Sequence, residues 1–277
     1  EKSNSNSLAS ALSRKILYGE KHPYAKRATK ESIESIRVDD LNRLRNMYFH
    51  PNNAILVVSG DVIEEEILEL IDEKFGSWRK RMYIPKIEIP KLKPMPKGVY
   101  FINRPGSVQS SVILTTQAIP YSNKDYEKLK MASSVIGAGF AGRLFRTLRE
   151  KHSYTYSPYG YVTSAKATNR FACGADVRNS VTDSTIIVIK KQLKMLADQE
   201  AEEAELNRVK NYRVGSYLMS FQNSSRIAAM IQNAVFNKIP FDKMETYHER
   251  MASMTPSDIK EVASKYLDPK NAYIIVV

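Results

Sequence analysis

Residues 40–58 read DLNRLRNMYFHPNNAILVV, and residues 258–276 read DIKEVASKYLDPKNAYIIV. The two align at a constant offset of 218: Asp40 with Asp258, Tyr48 with Tyr266, Pro51 with Pro269, Asn53 with Asn271 and Ala54 with Ala272. The register continues upstream without a gap, pairing Leu12 with Met230, Leu17 with Val235, Tyr18 with Phe236, Ile33 with Met251 and Ile36 with Met254. A matched Pro-x-Asn-Ala alone could arise by chance; a shared apolar pattern over about fifty residues does not. Each copy reads as a helix, a turn and a buried strand, because AILVV and AYIIVV are short apolar runs that follow Pro-Asn turn chemistry. The period is far too long for a solenoid, so the pattern predicts a tandem duplication of a whole domain.

The offset also predicts the domain organisation. The second copy begins near Gly98, which puts the start of the first copy roughly 120 residues before Glu1. Residues 1–78 are then expected to be the C-terminal part of a first domain and 98–277 a complete second domain. Between them, 79–97 reads RKRMYIPKIEIPKLKPMPK, with seven basic side chains, one acid (Glu88) and four prolines. Four prolines in that spacing forbid a helix and disfavour an inner strand, so an extended, solvated linker is expected.

Within the second copy, 98–103, 111–119, 154–165 and 170–177 read as strands, and 125–136 and 140–151 as helices split at Gly137-Ala-Gly139. Ile186, Ile189, Leu193 and Leu196 recur at helical spacing, and further helices begin near Leu206 and Ile227. Thr255-Pro256-Ser257-Asp258 resembles a helix start. Paired strands followed by a run of helices predict an α+β fold, with the first copy truncated.

Composition excludes several classes. The chain has 277 residues, 43% hydrophobic and 26% charged, as an ordinary globular chain does. No apolar run approaches the ~18–20 residues of a membrane-spanning helix, so no transmembrane segment is predicted. The single cysteine, Cys173, rules out an intrachain disulfide and a cysteine-based zinc site, and reads as a buried structural thiol in a strand. Cytoplasm and periplasm both stay open. The net charge of +12 invites a nucleic-acid reading, but half of it sits in the 79–97 linker. No stacking aromatics are regularly interleaved with those charges, so nucleic acid is not an expected partner and steep salt dependence of oligonucleotide binding is expected to be absent.

No catalytic constellation is complete. The histidines His22, His50, His152 and His248 are widely separated, and none shares a helix turn with a second His and a Glu. His22-Pro23 and His50-Pro51 read as turns, and His248-Glu249 places its side chains on different helix faces. Gly137-Ala-Gly139-Phe-Ala-Gly142 has the Gly-x-Gly-x-x-Gly form but follows a helix, without the βαβ context of a dinucleotide site. One segment, 137–162, still carries chemistry: Arg149 closes a basic helix and Tyr156 follows seven residues later. A charge and a phenolic donor at one helix–strand junction can hold a carbonyl oxygen and stabilise an oxyanion.

This segment, Gly137-x-Gly139-x-x-x-Arg143-Leu144-Phe145-x-x-Leu148-Arg149-Glu150 with Tyr156, resembles the insulinase/pitrilysin family of zinc metallopeptidases. The likeness extends in order to His22-Pro23-Tyr24, Tyr48-x-x-Pro51-x-Asn53, Gly60-Asp61-Val62, Phe75-Gly76-x-Trp78 and Arg104-Pro105-Gly106-x-x-Gln109. The resemblance implies paired like-folded domains, each an antiparallel sheet packed with helices, closing as a clamshell over an unfolded peptide. It implies a His-x-x-Glu-His zinc motif in the first domain, within the ~120 residues expected upstream, and an Arg/Tyr substrate grip that maps onto Arg149 and Tyr156. Glu1 falls near the family's distal zinc ligand but is not assigned that role. Zinc is thus expected in the parent assembly and not on this chain, and no catalytic residue or metal ligand is assigned here. The implied partners are a peptide substrate and either an upstream zinc-bearing half-domain or a separate zinc subunit, in a homo- or heterodimer. The chain then reads as the C-terminal portion of a zinc endopeptidase, inactive alone, or as the noncatalytic Arg/Tyr or structural subunit of a two-subunit enzyme.

Overall fold

The computed structural model describes residues 4–277, so Glu1 lies outside the described residues. Contacts sort the chain into two compact units. One combines the stretch up to Lys26 with Ile89–Val214 and His248–Val277; the other combines Arg27–Glu88 with Gly215–Tyr247. The division expected at 1–78, 79–97 and 98–277 rests on the sequence repeat, whereas contacts cut the chain elsewhere. Shifted by the repeat offset of 218, residues 1–26 correspond to 219–244. Each unit therefore joins the bulk of one copy to the equivalent helical segment of the other.

The larger unit is built on a five-stranded sheet of β1 (Val99–Phe101), β2 (Gln109–Ala118), β3 (Tyr159–Val162), β4 (Asn169–Arg178) and β5 (Tyr273–Val276). Their order is β1-β5-β2-β4-β3. The β2–β4 ladder runs antiparallel from Gln109 opposite Arg178 to Ala118 opposite Asn169. β5 and β3 join it antiparallel, but β1 pairs parallel with β5, Val99 opposite Ile274. The sheet is thus mixed rather than purely antiparallel. The parallel edge arises because β1 and β5 belong to opposite ends of the repeat, with every other element available as the crossover.

Side-chain alternation gives this sheet two faces. Helices α5 (Tyr126–Gly137), α6 (Thr182–Asp198) and α11 (Pro256–Tyr266) pack with its strands. α11 starts as its sequence predicts, with a Thr255/Asp258 capping box and Pro256 in the first turn. Ile113, Ala172, Tyr273 and Ile275 form one core with Ile16, Leu17 and Tyr18 of α1 (Ser5–Tyr18). Asn4 caps α1, and Gly19 ends it at φ +88°, where a Cβ would lie 2.7 Å from the Lys93 carbonyl oxygen. Glycine is required there twice over, by conformation and by space. The linker returns to this point: Lys93 N donates to Tyr18 O at 3.2 Å and Met95 N to Ile16 O at 2.9 Å.

The second unit is helical. It holds α2 (Lys30–Glu34), α3 (Val38–Tyr48), α4 (Glu64–Phe75), α8 (Ser224–Asn237) and α9 (Asp242–Glu245). α7 (Glu203–Ser220) and α10 (Tyr247–Ala252) run from one unit into the other. Trp78 and the linker's first residues are strapped to the turn after α3, with Asn52 Nδ2 donating to Arg81 O at 2.9 Å and Trp78 Nε1 to Phe49 O at 3.3 Å. The AILVV run, 54–58, is expected as a strand but is not one here. A strand needs a neighbour for its backbone hydrogen bonds, and this run has none in the structure.

Candidate functional site

The site begins where α5 ends. At Gly137 a Cβ would lie 2.0 Å from the backbone nitrogen of Gly160 in β3, so helix and strand touch backbone to backbone. The sequence suggests that Gly137 merely breaks a helix; its stronger role is this close approach. The chain then turns through Gly139–Ala141, with Gly139 at φ +48°.

The helix expected over 140–151 resumes at Arg143 and widens into a π-helix, Phe145–Lys151. Such widened turns are rare and concentrate at functional sites. Its start is clamped by the buried pair of Arg143 with Glu205 of α7, Nε to Oε1 at 2.9 Å and Nη2 to Oε2 at 2.7 Å. A bidentate pair fixes direction as well as distance. At the far end His152 N donates to Thr147 O at 3.1 Å and Tyr154 N to Leu148 O at 2.8 Å. Between them Ser153 adopts φ +53°, a strained conformation for a residue with a side chain.

This geometry brings Arg149 and Tyr156 together. The Arg149 guanidinium lies 4.1 Å from the Tyr156 ring centroid and 4.7 Å from that of Phe145, and its Nη1 donates to Tyr156 O at 3.3 Å. Stacking leaves the planar edge of the guanidinium available for a further acceptor. Tyr156 is 76% exposed, so its hydroxyl is free to meet a ligand. It does not lie in a strand: 154–158 is irregular and β3 starts at Tyr159, later than the alternation of tyrosines predicts. Pro158 cannot donate a ladder hydrogen bond, which delays the pairing. A groove of about 420 Å³ runs beside Tyr156, with 153–157 on one side and Gln109, Asp176 and Arg178 at the end of the β2–β4 ladder on the other. Sequence reasoning missed Glu205, Asp176 and Arg178. Only strand register or tertiary contact makes them part of the site.

The other sequence candidates stay apart. Cys173 is fully buried in β4, and burial pushes its thiol well above the ordinary range, as befits a structural residue. His22 is buried between Tyr18 and Tyr24, its ring accepting from Tyr24 N at 3.1 Å, and desolvation pulls its pKa down. His50 contacts Asn46 O at 2.9 Å, and His152 stacks on Tyr154 at 5.0 Å. Among the described residues no three His, Cys, Asp or Glu side chains converge as metal ligands, so these residues do not fit a zinc site.

Comparison with known proteins bears on the fold and the family. The family model described as the peptidase M16 inactive domain matches residues 35–213. Among curated relatives, an uncharacterized zinc protease of Streptomyces coelicolor is 20% identical over 261 residues, covering 90% of this chain and 55% of that protein. The zinc protease PqqE of Helicobacter pylori is 22% identical, with 85% and 54% covered. A third relative, from the same organism at 22% identity, with 90% and 57% covered, is named a non-peptidase homolog, YmxG. The chain thus spans about half the length of the curated relatives it matches. A solved M16 inactive domain from Pseudomonas fluorescens shares the fold at a TM-score of 0.89 and 22% identity, covering 99% of this chain and 66% of that one. The chain belongs to the M16 peptidase family and carries its inactive domain.

Proposed function

We propose that this chain supplies the substrate grip of a zinc-dependent endopeptidase whose metal is carried elsewhere. The observation that carries the reading is the Arg149/Tyr156 pair, stacked at 4.1 Å, with Tyr156 lining an open groove. A fixed guanidinium and a phenolic O–H can both donate to one peptide carbonyl oxygen and hold it as negative charge develops there. The π-helix, the Arg143–Glu205 clamp and the strained Ser153 hold Arg149 in place before a peptide arrives, which lowers the cost of binding. No proton transfer or bond cleavage is assigned to these residues.

The zinc would come from a half-domain preceding residues 1–78, or from a separate subunit. The repeat arithmetic and the half-length match to zinc proteases support the first arrangement. A second reading, an Arg/Tyr subunit whose own chain has no metal, is favoured by the relative named as a non-peptidase homolog. In either case 98–277 acts as the domain carrying the grip. In an assembly reconstituted with the zinc-bearing part, Arg149→Ala should lower kcat/KM by roughly tenfold to a thousandfold and Tyr156→Phe by less, with zinc content unchanged. Unchanged peptide cleavage in both variants would remove the assignment.

A further inference from the structure

We propose that the exposed stretch 79–93 is a peripheral docking site for an anionic membrane surface, its cations meeting phospholipid headgroups and its apolar side chains the boundary beneath them. Residues 79–97 form neither helix nor strand. Arg79, Lys80, Lys86, Lys91 and Lys93 are all exposed, and among the described residues none of them makes an ion pair. Exposed lysines elsewhere find an acid: Lys15 Nζ lies 2.7 Å from Glu20 Oε1, and Lys194 Nζ 2.6 Å from Asp198 Oδ2. The stretch itself holds one acid, Glu88. Like charges gathered this closely repel one another, and an anionic surface turns that repulsion into attraction.

The apolar side chains of the stretch are turned outward as well. Met82 is fully exposed, and Tyr83, Ile87 and Ile89 are 69%, 72% and 42% exposed. Single exposed apolar residues are ordinary on a surface; four within eight residues, interleaved with cations, form a patch. Methionine and isoleucine gain by leaving water for the acyl boundary, and tyrosine can set its ring there with its hydroxyl among the headgroups. Lysine stems lie along the same boundary while their ammonium groups stay in water. Pro85 and Pro90 keep the chain extended, so docking orders little that is not already ordered. The stretch is also tied down, Arg81 N donating to Asn52 Oδ1 at 3.2 Å and Lys93 N to Tyr18 O at 3.2 Å.

Charge and apolar surface together select the partner. Each basic side chain held near an anionic bilayer strengthens binding roughly fivefold, so five of them supply about a thousandfold. Nucleic acid would satisfy the cations, but Tyr83 is the one aromatic residue in 79–93, and a run of bases has nothing further to stack on. An acidic protein would satisfy them too, yet it would need apolar pockets matched to Met82 and Ile87. A bilayer interface accepts those side chains without fixed geometry, which suits a stretch that has no regular structure.

The test is co-sedimentation of the full chain with vesicles of phosphatidylcholine carrying about 30% phosphatidylglycerol, against vesicles of phosphatidylcholine alone. The native chain should sediment with the anionic vesicles only, and should be released as salt rises. Lys80→Gln, Lys86→Gln and Lys91→Gln combined should weaken binding roughly a hundredfold. Met82→Ser with Ile87→Ser should weaken it at least about tenfold. All five positions are exposed, so both variants should keep the native melting temperature. No sedimentation with anionic vesicles, or equal sedimentation of the native chain and the triple lysine variant, overturns the site. Undiminished binding by the Met82→Ser, Ile87→Ser variant overturns it too, and assigns the cations to an acidic protein or a nucleic acid instead.

Discussion

β5 and the run 54–58 stand at the same place in the sequence repeat and are similarly apolar, yet they end in opposite states. In β5, Tyr273 and Val276 are 6% and 5% exposed between β1 and β2; their counterparts Ile55 and Val58 are 38% and 45% exposed and belong to no sheet. The helices behave alike. Ile259 and Val262 of α11 are buried, whereas Leu41 and Leu44 of α3 are open to solvent. Apolar periodicity is present in both copies, so it cannot be what decides. What differs is the supply of partners: the second copy brings its own β1, β2 and β4, and the first has no equivalent strands among the described residues. A strand's sequence states which face wants burial, and only a neighbouring strand makes it a strand.

The strongest way to break this comparison is to truncate one buried residue of β5 and one exposed residue of 54–58. Ile275→Ala should cost about 2–5 kcal/mol in denaturant unfolding, through lost burial and the cavity left behind. Ile55→Ala should stay within about 0.5 kcal/mol. Equal costs would mean that the first copy is packed after all. A smaller loss is expected at the contact only the completed copy has. Gly137→Ala, with no room for a Cβ against Gly160, should cost about 1–3 kcal/mol and weaken amide protection in β3.

Smallest is a charge effect in the completed unit. Lys265 Nζ and Tyr266 OH each donate to Asp125 Oδ2 at 3.0 Å. The Lys265 contact, opposed by burial and aided by Tyr266, holds the Asp125 carboxyl below its usual range. A lowered carboxylate pKa stabilises the fold above the unfolded value of about 3.9, and that contribution is lost as pH falls through the folded value. Lys265 is well exposed, so Asp125→Asn should cost no more than about 1 kcal/mol at pH 7. The difference should vanish under acid. A pH-independent cost would assign the residue a packing role instead.

Part of this was legible in the sequence. The α11 cap, β2, β4 and the buried Cys173 rest on local chemistry and spacing. α1 escaped as an element: the repeat pairs its Leu12, Leu17 and Tyr18 with residues of α8, and an apolar pattern does not name its partner. The π-helix escaped because helical periodicity over 140–151 cannot register one extra residue in a turn. The parallel β1–β5 pair and the Arg143–Glu205 clamp join residues 62 or more positions apart, which only folding brings together.

Amide hydrogen exchange at residues 54–58, with and without the zinc-bearing upstream half, tests the central claim most directly. That claim is that this chain is a complete gripping domain joined to an open one awaiting its sheet. Alone, 54–58 should exchange as an open segment while β5 stays protected; with the upstream half bound, 54–58 should become protected to the level of β5. Protection of 54–58 in the isolated chain, or none after the halves combine, would contradict the account.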